Sequence, residues 1–210
     1  MAYDLEEQEQ LAALKAWWSD YGKYVLAALL ALALGLGGWA GWHSWQLRQM
    51  QAAAERYLEL ERAVQAGDDR ALREAARALA EQHPRTMYAS LAALAVAKHF
   101  FDRGDLKGAK ARLEWVLERG ASAELRDLAR LRLAAVLFDE GRHDEALRAL
   151  EAKQSPGLEA QYAALRGDIL VAKNQPAEAR AAYRLALEKT GPEGEAFRAS
   201  VQLRLDALGS

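Results

Sequence analysis

From Tyr24 to Leu47 the chain runs without a single formal charge. At about 1.5 Å rise per residue this makes a helix of about 36 Å, against a hydrocarbon layer of about 30 Å. The stretch predicts one membrane-spanning helix. Trp17, Trp18, Tyr21 and Tyr24 lead into it and Trp39, Trp42 and Trp45 close it, where rings would sit at headgroup level. A cleaved export leader does not fit. Such a leader is basic and its apolar part short, whereas residues 1–23 carry two lysines against five acids. Orientation stays open on charge alone: Lys15, Lys23 and the terminal amine on one side nearly balance Arg48, Arg56 and Arg62 on the other.

The remainder of the chain, 48–210, holds nearly all of the basic residues and most of the acidic ones, in almost equal number. So even a balance gives no electrostatic footprint for nucleic acid or another polyanion. The segment is long enough for one domain with its own core. Cysteine is absent, which removes disulfides, thiol catalysis and cysteine metal sites. With only four prolines and a predominance of Ala, Leu, Glu and Arg, the composition predicts an all-α fold.

This helical segment repeats itself. FFDRGDLKGAKARLEWVL (100–117), LFDEGRHDEALRALE (137–151) and LVAKNQPAEARAAYRLAL (170–187) each carry a turn residue followed five positions later by alanine: Gly104/Ala109, Gly141/Ala146 and Asn174/Ala179. The interval between successive turns is slightly longer, then slightly shorter, than the roughly 34-residue period of tetratricopeptide hairpins. Glycine or asparagine ends the first helix through a left-handed cap, and alanine lets the second helix press against the first. Ala97, Ala134 and Gly167 fall at the pattern's close-packing glycine, and Phe100, Leu137 and Leu170 at its tyrosine. Its tryptophan is replaced by Ala93, Arg130 and Ala163, and an unrelated helical bundle is the alternative.

The membrane helix is expected to run on along a stripe of Leu47, Met50, Ala54, Tyr57 and Val64. A helix over 69–82 follows, stopped by His83-Pro84. Helix pairs are expected at 86–102 with 105–118, 122–139 with 143–153, and 159–173 with 176–189. Pro192 begins a last helix whose Phe197, Val201, Leu205 and Leu208 cover the end of the stack.

Taken together, the acidic leader with paired aromatics and Gly22-Lys23, the Trp-rich end of the span, and the segments 88–117, 131–147 and 165–183 resemble the YfgM family, ancillary subunits of the bacterial SecYEG translocon. The similarity covers essentially the whole chain. It implies a single-span inner-membrane protein with its N-terminus cytoplasmic and a periplasmic tetratricopeptide-like domain. Implied partners are the translocon and a PpiD-like periplasmic chaperone, with exported client chains as further candidates. The resulting division is 1–23 cytoplasmic, 24–47 transmembrane, 48–85 juxtamembrane helices, 86–191 three degenerate repeats and 192–210 a capping helix.

Two candidate sites follow. Counted from the repeat register, the solenoid's inner surface holds Leu91, Leu94 and Phe101 in the first repeat and Leu128, Leu131 and Phe138 in the second. The third offers Gln161, Ala164, Asp168 and Val171 instead, so the face should be apolar at one end and polar at the other. Either it receives a partner segment, or its leucines and phenylalanines pack against 48–82 or the terminal helix. In the span, Ala33, Gly37 and Gly41 recur every four residues, spacing that admits a close helix neighbour, although glycine is common in membrane helices generally. The leader places Asp4 as a helix cap with Glu7 three residues on. Its charge would serve contact with basic cytoplasmic loops of a partner, or simply solvation.

Chemistry is not expected. His43, His83, His99 and His143 never fall in a metal-ligand spacing, no glycine-rich phosphate loop occurs, and no nucleophile has a recognisable base. Neither an enzyme nor a cofactor is indicated. Two function classes remain: an export-associated binding module, or a structural scaffold of the envelope in which residues 45–66 self-associate as a coiled coil. Glu61 interrupts the coiled-coil stripe and Gly67-Asp68-Asp69 ends it.

Overall fold

The computed structural model describes residues 2–209, with the side chains of 2–10 and 13 outside the described set. The Asp4 cap therefore lies outside the described residues, although the backbone is already helical from Ala2. Nine α-helices make up the regular structure of the described residues, and the chain divides into two compact units, Met1–Gln49 and Met50–Ser210.

The first unit belongs to helix α1 (Ala2–Ala66). Leu26, Leu29, Leu30, Leu32, Leu34 and Leu36 are each more than half exposed. A helix apolar on all sides and covered by nothing is built for lipid. The rings at the C-terminal end of the apolar run pair, Trp39 with His43 at 5.6 Å and Trp42 with Trp45 at 5.2 Å.

The second unit is a row of antiparallel hairpins closed by one recurring turn. Gly67, Gly104 and Gly141 have φ of 67°, 77° and 74°, and Asn174 has 59°. Each of the four donates its backbone N–H to the carbonyl three residues back, namely Val64, Phe101, Phe138 and Val171. The next residue, Asp68, Asp105, Arg142 or Gln175, donates to the carbonyl five back. These bonds satisfy carbonyls left open at a helix end, and the left-handed φ suits glycine and asparagine. Five positions past each turn stand Leu72, Ala109, Ala146 and Ala179, none more than 1% exposed.

The pairs so closed are the end of α1 with α2 (Asp69–Gln82), α3 (Met87–Asp102) with α4 (Leu106–Arg119), α5 (Ala123–Asp139) with α6 (His143–Ala149), and α7 (Glu159–Ala172) with α8 (Pro176–Lys189). The first pair is a fourth hairpin where only three repeats were expected. Leucine at 72 in place of alanine hides it from the register. Its core joins Ala53, Leu60 and Ala63 of α1 to Leu72, Ala76 and Leu79 of α2 and to Ala92 and Val96 of α3. The buried stripe therefore differs from the expected one: Val64 is 52% exposed, and small Ala53 and Ala63 take the inward places because α2 approaches closely. Ala97, Ala134 and Gly167 are buried as close packing requires. A Cβ at Gly167 would lie 2.4 Å from the Tyr183 ring.

Helix α9 (Glu195–Ala207) closes the row with Phe197, Val201, Leu205 and Leu208 against α7 and α8 residues. It starts three residues later than expected, because Pro192 lies in a turn closed by the Gly194 N–H on the Gly191 carbonyl.

A larger departure concerns α6, which stops at Ala149 although the sequence pattern reaches 153. The chain is drawn aside by a buried carboxylate on α5. Asp127 Oδ2 accepts from both the Ser155 backbone N–H and hydroxyl, and Oδ1 accepts from Arg130. Tyr162 in turn donates to the Asp127 carbonyl at 2.7 Å. Burial alone would raise the Asp127 pKa, but the bonds from Ser155 and Arg130 outweigh it and hold the carboxyl below its ordinary value. A depressed pKa contributes stability that is complete above the unfolded-state value of about 3.9 and fades as pH falls through the lower native value. Asp127→Asn points an amide at donors that need an acceptor, at a cost of about 1–3 kcal/mol near neutral pH. Urea unfolding of the two proteins between pH 7 and pH 2 should show that gap and its closure in acid.

Candidate partner-binding site

Five of the six expected inner-face residues are divided between two cores. Leu94 is 3% exposed and packs with Ala93, Ala97, Leu113 and Val116, so it is a structural residue with no surface of its own. Phe101 and Leu128 are half-buried at the edge of that same cluster. Leu131 and Phe138 rest on the next one, with Ala134, Leu137 and Ile169. Phe138 also holds His143, ring centroids 5.5 Å apart. Leu91 is half-buried. Five of the six thus keep partial surface along α3 and α5.

Between these helices lies a concavity of about 200 Å³ lined by Ala97, Phe101, Ala135 and Val136. Its rim carries Lys98, paired with Asp102, and Arg132. Arg132 donates to the Leu94 carbonyl at 3.2 Å, and burial lowers its pKa from the ordinary value. An arginine set between Leu131 and Leu133 is the one sign of it in the sequence, and a register count passes over it.

The expected polar end is mostly spent inside the fold. Asp168 accepts from Tyr183 at 2.7 Å and from Arg204 of α9 at 2.8 Å, which ties the capping helix to α7. Burial and the bond to Asp168 push the Tyr183 phenol well above its ordinary value. Ala164 is buried, and only Gln161 and Val171 are exposed.

In the first unit, Ala33, Gly37 and Gly41 are exposed, and a Cβ at either glycine would meet nothing within 4 Å. Among the described residues, no three His, Asp or Glu side chains converge as a metal site would require.

What the fold defines is a helical-hairpin solenoid carried behind an apolar helix long enough to cross a membrane. Residues 15–210 match a family described as a tetratricopeptide repeat-like domain. The chain is 32% identical over 203 residues to the ancillary SecYEG translocon subunit of Haemophilus influenzae, covering 97% of this chain and 98% of that one. It is 32% identical over 213 residues to the protein of that name from Neisseria gonorrhoeae, covering 99% and 100%. For the protein of that name from Escherichia coli the identity is 30% over 180 residues, covering 84% and 85%. The chain belongs to this tetratricopeptide repeat-like family of ancillary SecYEG translocon subunits.

Proposed function

We propose that the chain is an anchored scaffold that works beside the SecYEG translocon and assists export. The reading rests on one combination: stacked hairpins with partly exposed apolar side chains, carried on a membrane helix, in a chain whose relatives are named for the translocon. Residues 1–23 face the cytoplasm, 24–47 cross the inner membrane, and the solenoid lies in the periplasm. There it engages a PpiD-like chaperone and emerging client chains through Leu91, Phe101, Leu128, Leu131 and Phe138. Tethering raises the local concentration of the binding face for any chain leaving the channel. Ala33, Gly37 and Gly41 receive a neighbouring membrane helix. Scaffolding accounts for these features with no catalytic step.

The alternative, a self-associating envelope scaffold, needs a free coiled-coil stripe along residues 45–66. Ala53, Leu60 and Ala63 instead face α2 and α3, which favours the export reading.

Phe101→Ser with Phe138→Ser should reduce photo-cross-linking to chaperone or client several-fold while thermal unfolding remains cooperative. Unchanged cross-linking with a stable fold would discard the inner face. Gly37→Leu with Gly41→Leu should remove translocon co-purification, and its persistence would count against helix packing there. For topology, added protease should cut the solenoid in spheroplasts and spare it in inside-out vesicles; the reverse result rejects the orientation.

A further inference from the structure

The shortened α6 leaves a place in the stack unfilled. Helices α2, α4 and α8 each have 14 residues, whereas α6 has 7. At about 1.5 Å per residue the deficit is about 10 Å of helix. Two depressions of about 210 and 310 Å³ lie beyond its end. They share Ala163, Arg166 and Leu185 and so form one notch, floored by α7 and walled by α8. Leu150, the residue just after α6, lines one end.

The second helix of the preceding hairpin shows what such a place holds when full. In α4 the later turns bury Leu113 and Val116, and half-buried Trp115 and Leu117 pack on the same cluster. Leu133 of α5, which holds the register position of Arg166 one repeat earlier, is half-buried against that cluster. Arg166 is exposed, and among the described residues it makes no hydrogen bond or ion pair. Across from it Leu185 is 45% exposed, beside exposed Ala181. The notch therefore combines an apolar wall with an unpaired cation, and its lining also carries Glu178 and a Lys189–Glu159 ion pair.

We propose that this notch is a docking seat for an amphipathic helix of a partner polypeptide, two turns or longer, with an apolar stripe at i, i+3 and i+4 and a carboxylate beside it. The apolar stripe covers Ala181 and Leu185, and the carboxylate pairs with Arg166, whose fork of donors has no acceptor from this chain. A helix so seated would occupy the length that α6 lacks. The seat lies apart from the inner face of α3 and α5, so failure at one leaves the other standing.

A peptide copying residues 106–119, stapled between its positions 107 and 111 to remain helical and labelled with fluorescein, serves as the probe. Its anisotropy is titrated with the full-length chain in detergent. Saturable binding is expected, weakened about tenfold or more by Leu185→Asp and by Ala181→Arg, both at exposed positions. Arg166→Gln should weaken the peptide several-fold, and should not affect a version with Glu114 and Glu118 changed to glutamine. Leu203→Asp, on α9 and 72% exposed, controls for a general loss of surface apolarity and should leave binding intact. No saturable binding, or equal loss in the Leu203 variant, would overturn the proposal. So would self-association of the chain abolished by Leu185→Asp, since the seat would then belong to a second copy.

Discussion

Everything in the solenoid depends on a left-handed residue that reverses the chain and a tightly buried side chain five positions later. The two act together. The positive φ at Gly67, Gly104, Gly141 and Asn174 brings two helices into register, and the residues at 72, 109, 146 and 179 fix how closely they meet. With three alanines and one leucine there, the hairpins share a geometry without sharing a sequence. The interval from Gly141 to Asn174 is shorter than the two before it, so the unit kept along the chain is the turn and not the length of the helices.

Much of this is legible in the residues because the turn chemistry is local. Glycine or asparagine followed five positions later by alanine announces the left-handed turn, and the uncharged stretch from Tyr24 to Leu47 announces the span. The first hairpin escapes the register because its signature residue is Leu72 and its inward face is largely alanine. Alanine contributes little to a search for large apolar side chains, yet it is what a close helix approach demands. The truncation of α6 cannot be read locally at all. It depends on Ser155 meeting Asp127 from a different hairpin element, far earlier in the chain. Leu94, in the same way, takes an inner-face position by register and a core position by packing.

The near balance of charge has a structural counterpart. Several arginines are used as caps on helix ends. Arg126 donates to the Gly120 carbonyl after α4, Arg198 to Leu187 and Thr190 at the end of α8, and Arg180 to Leu208 and Gly209 after α9. Each satisfies carbonyls that a helix C-terminus leaves open, where positive charge is also favoured by the helix dipole. A basic count taken from the sequence thus overstates the number of arginine donors free to bond a partner.

Since Ala53, Leu60 and Ala63 of α1 form one wall of the first core cluster, the solenoid does not begin where the repeats become recognisable. A secreted or recombinant fragment trimmed to residue 86 would strip Ala92 and Val96 of their cover and invite aggregation at a raw end. Any soluble version of this protein has to keep the tail of its own anchor helix as a lid.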